Sequence, residues 1–173
     1  MDTSQNQVIE SYKDFWLRFL DVNGRSSRPD YWHPFWINFI ISSLLGIISG
    51  GLLSSVFALA IIIPTFTVMV RRLHDTNRTM ILAIISYISG FISMLATIVF
   101  ILGVITVVSS GGGGVIGATL MAGVFGAVVA GLVTLYTLFV LILPGNKKEN
   151  RYGIGGSSMV ELEPTNKGEV TIK

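Results

Sequence analysis

Between two of the most apolar runs of the chain stands RRLHDTNR, residues 71–78, with three arginines, a histidine and an aspartate. Three chemistries suit these residue types. His74 beside Asp75 is the composition of an acid/base pair, because imidazole titrates near neutrality. His33, His74, Asp30 and Asp75 together are of the kind that ligates a divalent metal. The guanidinium groups match the oxygens of a phosphate. Spacing weighs against the first two. Adjacent side chains on a helix project roughly 100° apart, and no nucleophile motif accompanies His74. The chain has two histidines and no cysteine, and the usual zinc spacings, G-x-S-x-G and H-E-x-x-H are all missing; Gly111–Gly114 lacks the lysine of a phosphate-cradling loop. We therefore expect no catalytic residue, no metal site and no cofactor. Anion binding stands beside the plainer reading that these groups satisfy one another.

The elements that carry these residues follow from composition. The chain has 173 residues, of which 51% are hydrophobic and 13% charged, with a mean hydropathy of +0.68. A soluble domain of this size would leave much of that apolar surface in water, so the reading is an all-α, polytopic integral membrane protein. Its first 34 residues lack the pattern of a secretory signal. Phe35–Val70 carries no charge. As one straight helix it would run about 54 Å at ~1.5 Å per residue, well past the ~30 Å hydrocarbon layer. Gly50-Gly51 is the place to fold back. The second uncharged region, Thr79–Asn146, breaks at Ser109–Gly114. This predicts four transmembrane helices over about 32–49, 52–70, 80–108 and 115–143. Val8, Ile9, Tyr12, Phe15, Trp16, Phe19 and Leu20 recur at helical spacing among charged residues, which predicts an amphipathic helix over about 5–22 ahead of them. Ser27 with Asp30 resembles a capping box that would start the first spanning helix at Arg28. Residues 1–153 read as one membrane domain and 154–173 as a flexible cytoplasmic tail.

All twelve Lys and Arg residues fall in three regions, 13–28, 71–78 and 147–173. Four crossings put these on one face. The positive-inside rule makes that face cytoplasmic, with both termini inside. Placing Arg71, Arg72, Asp75 and Arg78 at mid-membrane would cost on the order of 10 kcal/mol, so RRLHDTNR is expected to be a cytoplasmic loop. Within it, Arg71 and Asp75 are expected to pair, and Asp75 or Asn77 to cap the third spanning helix. Small residues recur every four positions at Ser42, Gly46 and Gly50, at Ser89, Ser93 and Thr97, and at Ala118, Ala122, Gly126 and Ala130. Such stripes serve close helix packing within the bundle, or a homo-oligomer seam. Pro64 frees a carbonyl that a nearby Ser or Thr is expected to meet.

Three motifs in order, NGRSSRPDYW (23–32), RRLHD (71–75) and PGNKKENRYG (144–153), resemble those of the bacterial inner-membrane family known as domain of unknown function 805. Thr79-Met80 stand where that family's pattern has Gly-Trp. The resemblance implies a multi-pass protein of the bacterial cytoplasmic membrane and supplies no activity. On the topology above, the shared motifs bring Arg25, Arg28, Arg71, Arg72, His74, Asp75, Arg78, Asn150 and Arg151 to one face as a candidate site for anionic phospholipid headgroups. The expectation is a non-enzymatic structural, accessory or regulatory protein. Its partners would be membrane lipids, further copies of itself or another membrane protein. A small transporter or channel subunit is the alternative, and a membrane enzyme using His74 and Asp75 comes third. A net charge of +2 without a soluble domain to display it argues against nucleic acid as a partner.

Overall fold

In a computed structural model of the chain, the structure describes residues 3–110 and 116–162. Six helices account for it: α1 (Thr3–Leu17), α2 (Arg28–Ser49), α3 (Leu52–Asp75), α4 (Ile81–Ser110), α5 (Ile116–Ile142) and the short α6 (Ser157–Leu162). Four stretches are long and apolar enough to cross a membrane: Arg28–Ser49, Leu52–Asp75, Ile81–Thr106 and Gly123–Ile142. The only pairing of extended backbone among the described residues is an isolated bridge between Asn150 and Gly153.

The chain divides into two compact units. The first, residues 1–80 with 141–173, holds α1, α2, α3 and the segment that follows α5. Helix α2 begins where its cap dictates. The Ser27 hydroxyl meets the Asp30 backbone N–H, while Asp30 Oδ2 accepts from the Ser27 backbone N–H at 2.8 Å, so two otherwise orphaned donors are met reciprocally. It ends at Gly50, φ 61°, followed by Gly51 at φ 99°. That left-handed pair is strained for any residue with a Cβ, and it lets the Gly51 N–H return to the Gly46 carbonyl at 3.0 Å. Gly46 in turn admits Ser54 of α3, the close packing expected of the small residues on this helix. In α3, Thr67 donates its hydroxyl to the Pro64 carbonyl at 3.0 Å. The expectation named the carbonyl that Pro64 frees, which is the one a turn earlier; the hydroxyl instead closes on proline's own.

Helix α1 stops at Leu17, five residues short of the expected end. Arg18 explains it. Its guanidinium donates to Asp21 Oδ2 at 2.9 Å and to the Asn23 carbonyl at 3.0 Å, while the Asn23 N–H donates to Asp21 Oδ1. This closes a polar turn where another helical turn would have stood. The Asn23 N–H and Arg18 together hold the Asp21 carboxyl below its ordinary 3.8. Of the expected apolar stripe, Phe15 is buried against the body of the unit, whereas Ile9, Trp16, Phe19 and Leu20 face outward. Tyr12 anchors the helix by donating to Asn38 Oδ1 at 3.2 Å.

The second unit, residues 81–140, comprises α4 and most of α5. Ser86 and Thr137 hydroxyls meet at 2.6 Å, and Gly123 and Gly126 let α5 approach Phe100 and Ala96 of α4. Gly126 belongs to the predicted small-residue stripe; the side chains of Ala118 and Ala122 lie outside the described residues. Helix α4 runs through Ser110, so the expected break at Ser109–Gly114 begins later than read, and the rest of it falls outside the described residues.

Candidate functional site: a buried ionic lock at the end of the third helix

The expected loop at 71–78 is for the most part helix. Helix α3 continues through Asp75, and all of Arg71–Asp75 is buried. The last carbonyls of a helix lack intrahelical partners and end it unless something else meets them. Here distant segments do so. Asn146 N–H reaches the Asp75 carbonyl at 2.8 Å and the Asn150 side chain the His74 carbonyl at 2.9 Å, while Ser26 N–H adds a bond to the Arg71 carbonyl one turn back at 3.1 Å. Arg78 N–H folds back to the Leu73 carbonyl at 2.9 Å after Asn77 turns the chain with φ 59°. Neither Asp75 nor Asn77 caps the next helix, contrary to expectation; both belong to the end of α3.

Asp75 is the hub. Its Oδ1 accepts from Arg25 Nε at 3.0 Å, from Arg25 Nη2 at 2.8 Å and from the Ser157 N–H at 3.0 Å; its Oδ2 accepts from Arg72 and from the Ser157 hydroxyl at 2.7 Å. The expected partner was Arg71, one full turn back. Arg72, three residues back, is the one the helix turns toward Asp75. Both arginines and the aspartate have fully buried side chains. Burying such charges is costly unless the remaining polar atoms find partners, and each guanidinium nitrogen of Arg25 and Arg72 has an acceptor. Arg25 Nη1 donates to the Lys148 carbonyl at 2.9 Å, the Gly153 carbonyl at 3.2 Å and the Ser158 hydroxyl at 2.7 Å, and its Nη2 also meets the Asn146 carbonyl. Arg72 Nε donates to the Leu141 carbonyl at 3.1 Å, and its Nη2 meets the Leu143 carbonyl. These two carbonyls flank the end of α5, where a cation also answers the negative pole of a helix.

A second layer surrounds the hub. The His74 ring stacks on Tyr152, centroids 3.7 Å apart and 7° from parallel, and its Nδ1 donates to the Gly24 carbonyl at 3.2 Å. Arg151 lies over the other ring of this stack, 4.8 Å from the Tyr152 centroid, and donates to the Asn77 carbonyl at 3.1 Å. Arg71 points elsewhere, with Nη2 3.3 Å from Asp14 Oδ2. None of its buried N–H groups is aligned on an acceptor among the described residues, so this contact is Coulombic attraction without a formed hydrogen bond. Arg28 and Arg78 are exposed.

The structure thus brings Arg25, Arg72, His74, Asp75, Asn150 and Arg151 together and leaves Arg28, Arg71 and Arg78 at its margins. Sequence reasoning missed Ser157, Ser158, Gly145, Gly156 and Asp14. Of the expected flexible tail, Ser157 and Ser158 bond to the lock and Gly156 lies against Asp75; residues 163–173 lie outside the described residues. Chemically, the Asp75 carboxylate is saturated by five donors and His74 Nδ1 is held by a carbonyl, so the two do not pair with each other. His33 bonds Ser11 at 3.3 Å, and no group of three acidic, histidine or cysteine side chains among the described residues could hold a metal. Beside the lock, Glu10, Asp14, Arg18 and Asp30 share a polar groove of about 900 Å³.

An all-helical chain with four membrane-capable helices and an ionic lock at a helix end defines a multi-pass membrane protein. It belongs to the family described as protein of unknown function (DUF805), whose model matches residues 19–154. Inner membrane protein YhaH of Escherichia coli K12 is 29% identical over 104 residues, which cover 54% of this chain and 79% of YhaH. Inner membrane protein YhaI of the same organism is 32% identical over 98 residues, covering 53% of this chain and 82% of YhaI. No solved structure matches the chain significantly.

Proposed function

We propose that this protein is a non-enzymatic component of the bacterial inner membrane, structural, accessory or regulatory in role, with both termini in the cytoplasm. The Asp75 lock on the cytoplasmic side would bind the start of α2, the end of α3 and the chain beyond α5 into one rigid face. The observation that carries this reading is the five-donor saturation of a fully buried Asp75, since groups so completely engaged hold structure and have no capacity left for a substrate. Around that face Arg28, Arg78 and Arg151 are exposed, and their guanidinium groups suit the phosphates of anionic phospholipids.

Two measurements test it. A triple variant with Arg28, Arg78 and Arg151 changed to alanine should co-purify much less phosphatidylglycerol; at about 1 kcal/mol per cation near a membrane, affinity falls on the order of 100-fold. Unchanged anionic lipid content would defeat headgroup binding. Because the chain has no cysteine, single cysteines at Leu52, Thr79 and Lys148 report sidedness to a membrane-impermeant thiol reagent. Leu52→Cys should label in intact cells, and Thr79→Cys and Lys148→Cys only after permeabilisation. Labelling of these two from opposite sides would overturn the topology.

A further inference from the structure

The lock satisfies its polar groups; apart from the sealed guanidinium of Arg71, one further place in the same unit leaves polar groups unmet among the described residues. A crevice of about 230 Å³ lies between α2 and α3, with Phe15 of α1 also contributing to it. On α2 it is lined by Tyr31, Asn38, Phe39 and Ser42, one face of the helix over about three turns, and on α3 by Ile61 and Val68. Asn38 is 5% exposed and its side-chain oxygen is taken by Tyr12, but its amide N–H groups donate to nothing among the described residues. Tyr31, 8% exposed, likewise has no hydrogen bond from its hydroxyl there; its contacts are with the rings of Trp32 and Phe35. These donors are not sealed in protein as those of Arg71 are, so they reach open space, and the crevice they line provides it.

Both helices are membrane-capable spans, so the medium around the crevice is lipid. A donor left unmade in hydrocarbon costs several kcal/mol. Near a helix end the acceptors that the membrane itself supplies are the ester carbonyls of its acyl chains. Tyr31 stands three residues beyond Arg28, about 4.5 Å along the axis, at the level where such an ester would lie beneath a headgroup. The space is too narrow for a helix, whose diameter is about 10–12 Å, and below the roughly 300–1,000 Å³ of ordinary small-molecule pockets. It suits one thin apolar chain. We propose that the α2–α3 crevice binds an acyl chain of a membrane phospholipid, its ester carbonyl accepting from Tyr31 and its methylenes running past Asn38 to lie between Phe39 and Ile61.

This does not depend on headgroup charge, so the test uses a neutral lipid and fails or succeeds independently of the arginine variants above. Phosphatidylcholine carrying a diazirine midway along one chain is added to the purified protein and irradiated, and the labelled residues are mapped. Label should concentrate on Phe39, Ser42 and Ile61. Tyr31→Phe, which keeps the ring, should lower it roughly threefold or more, and Ser42→Trp, which fills the crevice, should nearly abolish it, whereas Leu59→Trp on an exposed face should not. Should Ser42→Trp fail to fold, Tyr31→Phe carries the comparison. Label spread over Leu44, Ile47 and Leu59 in proportion to their exposure, or indifferent to Tyr31→Phe, would overturn the proposal. So would labelling of the crevice by a diazirine fatty acid but not by the phospholipid, which would make the ligand a free acid.

Discussion

Asp75→Ala should destabilise the protein by about 3–5 kcal/mol, the penalty typical of removing one partner from a buried charge cluster. The loss is not that of one salt bridge. Arg25 and Arg72 would remain with fully buried side chains, two cations facing each other across an empty site, and the Ser157 N–H and hydroxyl would lose their acceptor. Asp75→Asn keeps the shape but not the charge, and should also lose stability, by less. Denaturant unfolding in detergent micelles measures both. Hydrogen exchange adds a regional signature, because residues 154–160 should lose protection with the alanine variant while the Gly50–Gly51 end of α2 keeps it. A cost below 1 kcal/mol for Asp75→Ala would mean the cluster is solvated and the lock is not what holds this face together.

How far this was readable in advance depended on how local each determinant was. The capping box at Ser27 and Asp30 spans three residues, and the Gly50-Gly51 turn is made by two glycines at positive φ; both follow from short-range rules, as do the four apolar spans. Family membership was likewise carried by contiguous motifs. The end of α3 reads as a loop in the sequence because its terminating signals are not local. Charge cost correctly barred Arg71, Arg72 and Asp75 from bare lipid, but water is only one way to satisfy them. The way taken here uses donors from Ser26, Asn146 and Asn150 for the helix end and from Arg25 and Ser157 for the carboxylate. Residues 155–158, Gly-Gly-Ser-Ser, have the composition of a linker. Their place in the lock rests on a contact 82 positions away, and the one hint in the sequence is a run of glycines directly before two hydroxyls. Choosing Arg71 over Arg72 as the partner of Asp75 was a matter of helical phase: both spacings are allowed, and the choice between them is made by α1, which offers Asp14 to Arg71.

The lock's tolerance for volume gives a second large effect. Gly145 lies so close to the hub that a Cβ there would sit under 3.0 Å from both Asp75 Oδ2 and the Ser157 hydroxyl. Flexible side chains often yield to such an intruder, but this carboxylate is fixed by five donors, and the neighbouring Asn146 N–H ties the same loop to the Asp75 carbonyl. Gly145→Ala should therefore cost about 3 kcal/mol, the upper end of the usual range for overpacking. Gly131→Ala supplies the contrast, since a Cβ there meets nothing within 4 Å; in a helix interior it should be neutral or stabilising by about 0.5–1 kcal/mol. Combining Gly145→Ala with Asp75→Ala separates mechanism from mere damage. With the carboxylate gone one clash is removed and the Ser157 hydroxyl, no longer held by Asp75, is free to rotate away from the new methyl, so the double variant should be more stable than the sum of the two single costs implies, by at least about 1 kcal/mol. Strict additivity would show that Gly145 is needed for the course of its own backbone and that its approach to Asp75 is incidental.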